Sequence, residues 1–226
     1  SPIETNPAIY ASTTSRAMSP YNSDGSYKYY RNNYAPFNIL EELKENFIKI
    51  NNQGVAIVVK PAYKLGKTLT LETLLSFRKN SSQLDHTVTE YSNVAEAYRA
   101  SYNDVIRGLN TYLFRDLSNP NAIPETILPR GGILDVFSND GTELYGRATL
   151  DYKVNFTDRH RVALFGGVDL RPTDNASSNT RGYGYMYYGG RIISPSPLAM
   201  TAAIRNDDRY YNENRITERA VGGFVN

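Results

Sequence analysis

Aromatic and cationic side chains are concentrated in one segment of the chain, residues 181–191. Its six notable residues are Arg181, Tyr183, Tyr185, Tyr187, Tyr188 and Arg191. Tyrosine faces stack on sugar rings or on peptide side chains, and a guanidinium donates planar hydrogen bonds. We therefore predict that these six residues form part of a substrate cavity. One alternative stays open: the alternating tyrosines belong to a strand that extends beyond a membrane, or to the aromatic belt at its surface.

The acidic and histidine residues form no catalytic pattern. Glu41 and Glu45 would share one face of a helix, where neighbouring lysines indicate ordinary solvated charge. The two histidines, His86 and His160, lie far apart in the sequence, and no Gly-x-Ser-x-Gly nucleophile elbow accompanies them. We predict that the protein is not an enzyme.

The composition argues against several kinds of binding site. With no cysteine among 226 residues, the chain offers neither a disulfide framework nor a thiolate metal site. A zinc site on either histidine would need carboxylates as its other ligands, and the Asp24-Gly25 turn lacks the further carboxylates of a calcium loop. The 25 basic and 23 acidic residues give a net charge of +2 without a basic run. We expect no metal, no cofactor and no nucleic-acid partner.

Residues 142–171 alternate between apolar and polar side chains on both sides of a polar interruption at 157–160. A strand turns successive side chains to opposite faces, so this pattern predicts a long β-hairpin with one apolar face. If that face meets a bilayer, the lipid-facing residues are Leu144, Leu150, Val154, Val162, Leu164, Val168 and Leu170.

A second hairpin with the same alternation is predicted at residues 54–78, where Pro61 indicates an edge or a bulge. The opposite face of the two hairpins is charged. Its charged residues are Glu72, Arg78, Arg147, Asp151, Lys153, Asp169 and Arg171. Two roles are open for them: they line a path for substrate, or they form a structural charge network on an inner wall.

The predicted strands are long, and their connections alternate in length. Each arm of the 142–171 hairpin keeps its period for about eleven residues, whereas strands usually run about five or six, and about nine to eleven tilted residues cross a bilayer. Short turns alternate with two long connections, 79–141 and 172–219, as in bacterial outer-membrane barrels. We predict an all-β fold: a segment of an antiparallel transmembrane β-barrel with long extracellular loops. The alternative is a large soluble sandwich or barrel.

The predicted organisation has six segments. They are a loop-rich segment at 1–53 with a short helix at 37–50, a barrel hairpin at 54–78, a long extracellular loop at 79–141 with a helix at 92–114, a barrel hairpin at 142–171, a tyrosine-rich extracellular loop at 172–219 and the start of a further barrel strand at 220–226. Ser1 begins no signal peptide, and the last predicted strand is incomplete. We expect the chain to be an internal section of a longer protein.

Several stretches of the chain together resemble the SusC/RagA family of TonB-dependent outer-membrane transporters. Residues 152–168, a strand, an Asp-Arg-His turn and a Phe-Gly-Gly strand, look like the mid-barrel hairpin of that family. The other similar stretches are 6–10, 15–17, 21–27, 37–43, 181–190 and 218–224. The resemblance covers most of the chain.

The resemblance implies a barrel of about 22 strands in the cell outer membrane, closed by an N-terminal plug. It also implies import of glycans or peptides, driven by the TonB complex and assisted by a SusD-like surface lipoprotein. The given sequence contains neither the plug nor the TonB box, so contact with the TonB complex would be made by other regions. The alternative function is that of a soluble carbohydrate-binding or adhesive β-domain.

Overall fold

The computed structural model describes residues 6–157, 160–188, 191–192, 196–206 and 210–226. In these ranges the chain forms nine strands and five short helices. In chain order they are α1 (Pro7–Thr13), β1 (Tyr30–Asn32), β2 (Ala35–Phe37), α2 (Ile39–Glu45), β3 (Asn46–Val59), β4 (Ala62–Leu65), β5 (Leu69–Val88), α3 (Asn93–Arg99), α4 (Asp104–Leu109), β6 (Gly132–Thr157), β7 (His160–Met186), β8 (Arg191–Ile192), α5 (Pro197–Arg205) and β9 (Tyr211–Val225).

Seven of the strands form one antiparallel sheet, which confirms the prediction of a mainly β fold. The strand order is β3-β5-β6-β7-β8, with β4 paired to β5 and β9 paired to β7. β1 and β2 form a separate two-stranded ribbon, with Tyr30 opposite Phe37. Over the described residues the seven-stranded sheet is open, because its order contains no pairing that returns from one end to the other.

The strands extend well beyond the predicted hairpins. β6 has 26 residues and β7 has 27. Residues 79–88, 132–141, 172–186 and 211–219, which the sequence pattern assigns to loops, are therefore strand. Their polar side chains interrupt the apolar alternation, but a β-ladder is closed by main-chain groups and does not need that alternation.

The helices are shorter than their apolar stripes predict. The helix predicted at 37–50 ends at Glu45, because the chain enters the sheet as β3 at Asn46. The helix predicted at 92–114 is two helices, α3 and α4, separated by a break in which Asn103 caps α4. No helix in the described ranges has both the length and the apolar character needed to span a membrane.

The residues divide into two compact units. Unit 1 comprises Ser1–Ile50, Leu84–Phe137 and Asn179–Asn212. It contains all five helices and a hydrophobic core. That core consists of Val88, Val94, Ala95, Tyr98, Ile127, Leu128, Ile133, Tyr183, Ala199 and Ala202.

Unit 2 comprises Asn51–Gln83, Ser138–Ser178 and Glu213–Asn226. It contains strand segments and the turns that join them. None of its described side chains is buried. Unit 2 is thus a sheet whose two faces are both accessible, and its apolar side chains have no core of their own.

Candidate functional site

One face of the unit 2 sheet is a continuous apolar surface. Leu71, Leu150, Leu164, Val168 and Val225 line a shallow hollow of about 1060 Å³ on this face. The hollow lies over small residues, since Ala148, Gly166 and Gly223 also line it. We call this side of the sheet the apolar face and the other side the polar face.

Close approaches at two glycines show which residues of the edge strands share the apolar face. A Cβ atom added at Gly54 would meet the Asn80 side chain, and one added at Gly222 would meet the Asp169 carboxylate. Both contacts lie on the polar face. Because side chains alternate along a strand, residues an odd number of positions away from Gly54 or Gly222 on the same strand belong to the apolar face. They include Val55, Ile57 and Val59 of β3, and Val221 and Val225 of β9.

The predicted lipid-facing residues all occur at alternating positions of this apolar face. Six of the seven, Leu144, Leu150, Val162, Leu164, Val168 and Leu170, are between 39% and 57% exposed, and Val154 is half-buried. Added to the β3 and β9 residues, they make an apolar surface that extends across the sheet of unit 2 from edge to edge.

The polar face carries a network of charges. Glu143 lies between two arginines, 3.8 Å from Arg78 and 3.7 Å from Arg171, and Lys153 pairs with Asp151 at 2.6 Å. Four of the seven charged residues predicted on this face are therefore in ion pairs: Arg78, Asp151, Lys153 and Arg171. A fifth, Arg147, makes a cation–π contact, with its guanidinium 5.6 Å from the centre of the Tyr145 ring. These pairs are partly exposed, so they order side chains more than they stabilise the fold.

The tyrosine-rich segment forms the end of β7 and the turn after it. Arg181 donates two hydrogen bonds to the Asp135 carboxylate, at 2.6 and 2.9 Å. Tyr183 is 5% exposed and belongs to the core of unit 1. The structure therefore places Tyr183 in the interior and Arg181 in a partly buried ion pair, where the two residues hold β7 against the core and β6.

The remaining tyrosines of the segment differ in exposure. Tyr185 and Tyr187 meet edge to face with ring centres 4.7 Å apart. The Tyr187 hydroxyl donates to the Ile133 carbonyl at 2.7 Å, and burial raises the pKa of Tyr187. Tyr188 is 70% exposed and packs against the Tyr91 ring at 5.4 Å. The Arg191 side chain lies outside the described set, although its backbone pairs with Met186.

A buried polar group links β3, β5, β6 and β7 in unit 1, and sequence reasoning missed it. His86 Nε2 lies 2.8 Å from Asn46 Oδ1, and His86 Nδ1 lies 3.8 Å from Asp135. Burial alone would raise the pKa of Asp135, but its interactions with His86 and Arg181 hold that pKa below the ordinary value. No local signal identified Asp135, because it is a single carboxylate in a strand.

A cleft of about 520 Å³ in unit 1 was also missed. It lies between α5 and residues 111–117, above the hydrophobic core. Tyr98, Tyr112 and Phe114 line it, and the guanidinium of Arg205 lies 4.5 Å over the Phe114 ring. Burial raises the pKa of Tyr112. The only sequence signal was the succession of aromatic and cationic residues from 112 to 115.

A smaller pocket of about 320 Å³ in unit 1 is acidic. Tyr29, Glu41, Tyr91 and Glu96 line it, with the buried Glu42 behind them. Burial raises the pKa of Glu42 and of Glu96, and the hydrogen bond to Glu41 raises the pKa of Tyr29 to about 12. The Glu42 carboxylate accepts hydrogen bonds from the Asn46 side chain at 2.8 Å and from the main-chain N–H of Asn93 at 2.6 Å. It therefore joins α2 to β3 and α3.

Nowhere in the described ranges do three or more histidine, aspartate or glutamate side chains form a group suited to a metal ion. His160 is exposed at the start of β7. No protein-family model matches the chain, and no curated protein matches it in sequence.

Proposed function

We propose that this chain is a section of an outer-membrane β-barrel transporter of the SusC/RagA type. In this role the apolar face of unit 2 meets lipid. The main observation that supports this proposal is the continuous, exposed apolar face on a sheet that buries none of its own described side chains. Soluble monomers rarely expose contiguous apolar patches above a few hundred Å².

The two-faced character of the sheet supports the same role. Lipid requires apolar side chains on one face, and a water-filled interior accepts charged ones on the other. The Arg78–Glu143–Arg171 group and the Asp151–Lys153 pair occupy that second face. The strand lengths also fit, because β5, β6 and β7 each exceed the roughly nine to eleven residues that a tilted strand needs to cross a bilayer.

The open edges of the sheet favour a larger assembly. Among the described residues, β3 and β9 form the edges of unit 2, and an unpaired edge inside a bilayer leaves main-chain groups without hydrogen bonds. Further strands of a longer chain would satisfy them. On this proposal the transported substrates are glycans or peptides, with a SusD-like lipoprotein over the outer loops and the TonB complex engaged by other regions.

The test is a pair of arginine substitutions on neighbouring residues of β6. Leu150→Arg places a guanidinium on the apolar face, whereas Asp151→Arg places the same group on the polar face. In a barrel the first costs about 2 to 4 kcal/mol near the membrane centre, so the full-length protein should disappear from the outer-membrane fraction and lose its faster migration on unheated gels. The second variant should assemble.

Two results would count against the transporter. Assembly of Leu150→Arg at the wild-type level would mean that Leu150 does not face lipid. A wild-type protein that remains in water without detergent, and migrates identically with and without boiling, would favour the soluble carbohydrate-binding or adhesive domain.

A further inference from the structure

The cleft between α5 and residues 111–117 has an aromatic wall above an apolar floor. The Tyr98 and Tyr112 rings lie 4.9 Å apart at 44°, and the Tyr98 and Tyr183 rings lie 6.4 Å apart at 61°. Ile127 and Ala202, both buried, complete the floor. A volume of about 520 Å³ lies within the range of small-molecule sites and admits a ring-sized group.

Arg205 gives this cleft a cationic rim. Its side chain is exposed, and its guanidinium carbon lies 4.5 Å from the centre of the Phe114 ring. One of its nitrogens donates to the Arg115 carbonyl. The other two guanidinium nitrogens have no hydrogen-bond acceptor among the described residues. The contact with Phe114 thus holds the guanidinium at the rim of the cleft, and among the described residues its remaining N–H groups are available to a ligand.

Arg115 adds a second positive charge at the rim. It donates to the carbonyls of Arg107 at 3.0 Å and Gly108 at 2.7 Å, and so closes the C-terminal end of α4. Within the described part of the chain, neither Arg115 nor Arg205 forms an ion pair with a carboxylate. The adjacent Asp116 carboxylate does not line the cleft; its hydrogen bonds from the Ser118 amide and hydroxyl, and to a smaller extent the charge of Arg205, lower the pKa of Asp116.

From this arrangement we propose that the cleft binds a carboxylate carried on or beside a ring. The ring lies against Tyr112 and Phe114, and the carboxylate accepts hydrogen bonds from Arg205. Two ligand sources share this chemistry: a uronic-acid unit of a glycan and a C-terminal aromatic residue of a peptide. Binding in unit 1 does not depend on the proposed transporter, but within that proposal it assigns the substrate an acidic group.

The deciding measurement is calorimetric titration of the full-length wild-type protein with two matched pairs of probes. One pair is the tripeptide Gly-Gly-Phe and its C-terminal amide, and the other is digalacturonate and its methyl ester. We expect the acid of at least one pair to bind about tenfold or more tightly than its neutral partner, because only the acid offers a charge-assisted bond to the guanidinium. The pair that shows the difference identifies the source.

Variants then assign the effect to the cleft. Arg205→Gln should weaken binding of the acid by about tenfold or more and remove the preference over the neutral probe. Arg16→Gln removes the same charge at an exposed arginine outside the cleft and should leave both affinities unchanged. Phe114→Leu keeps an apolar side chain but removes the ring under Arg205, so it should weaken both members of the pair.

Equal affinity for acid and neutral probes, or no binding of any of the four, overturns the proposal. So does an unchanged acid preference in an Arg205→Gln protein that melts at the wild-type temperature. If that variant does not fold, the wild-type comparison of acid with neutral probe decides alone. Membrane extraction and heat-modifiable gel migration of the same sample test the transporter proposal independently of ligand binding. A failed binding proposal is therefore distinguishable from a failed transporter proposal.

Discussion

Single polar residues organise the interior of unit 1. The Asn110 side chain, which is fully buried, donates to the Ala97 and Ala100 carbonyls at 2.8 and 2.9 Å and so ties the end of α3 to the residue after α4. Arg99 donates to the carbonyls of Glu90, Leu128 and Gly131. In the described part of the chain, no buried side-chain nitrogen or oxygen is left without a hydrogen bond. Such satisfied groups favour one arrangement of the segments over others, because each would be costly if left unpaired.

Asp135→Asn tests the most connected of these groups. Arg181 would lose its charged acceptor at a site where the two side chains are only 26% and 17% exposed. We expect local opening of the end of β7 to become easier by about 2 to 3 kcal/mol, somewhat less than for a fully buried pair. Hydrogen exchange of the amides at 179–186 measures this. Asp104→Asn, in an exposed pair with Arg107, is the control and should change exchange little.

The stabilisation that Asp135 provides should depend on pH. The folded protein lowers the pKa of Asp135 below the ordinary 3.8. The stabilisation from the charged carboxylate is therefore complete above that ordinary value and is lost as pH falls through the lower folded-state pKa. The difference in exchange between wild type and Asp135→Asn should be full at pH 7 and shrink at the acid end. A difference that grows toward low pH would contradict this assignment.

At the scale of elements, β5 and β6 approach so closely at one point that only glycine fits. A Cβ atom added at Gly132 would overlap the Val88 carbonyl oxygen and lie 2.7 Å from the Thr89 carbonyl carbon. Both are backbone atoms, so neither can move aside as a side-chain end would. This contact sits where β5 ends and β6 begins, next to the core residues Val88 and Ile133.

Gly132→Ala should therefore be strongly destabilising, by about 3 kcal/mol or more, because the strands must separate to admit the methyl group. Gly108→Ala is the matched control: no atom lies within 4 Å of its added Cβ, and it is inside helix α4. There alanine should be neutral or stabilise by up to about 1 kcal/mol. Thermal unfolding followed by near-ultraviolet circular dichroism of the tyrosines compares the two. Equal midpoints would show that β5 and β6 do not meet as described.

Across the whole chain, the two units differ in how far they bury their apolar side chains. Unit 1 covers them with helices and loops, and its core residues Leu128 and Ile133 are fully buried. Unit 2 leaves residues such as Val168 and Leu170 more than half exposed. An apolar surface of that extent must be shielded from water by lipid or by another protein surface. This is why we propose that it faces lipid.

This chain contains no cysteine, so a labelling test of this difference needs only that any cysteine in the rest of the full-length protein be replaced by serine. Single variants Leu164→Cys and Ala163→Cys place a thiol on the apolar face and on the polar face of β7, at neighbouring positions that are both exposed. In outer-membrane preparations, a charged maleimide should label Ala163→Cys but not Leu164→Cys, because the reagent does not enter lipid. Comparable labelling of both positions would place both faces in water and contradict a lipid-facing wall.

Local sequence pattern was sufficient to predict the mainly β fold, the central hairpin strands and their apolar face. A period of two is a property of the strand alone, so residues 143–156 and 161–171 carried that information locally. The ends of the strands depend on pairing in the folded sheet, since β6 and β7 continue through polar residues once a neighbouring strand supplies main-chain partners. The tertiary structure alone placed Tyr183 in the core, brought Asp135 to Arg181 across 46 residues and set Arg205 over Phe114. Those contacts depend on chain segments distant in sequence, and no local pattern specifies which of them will meet.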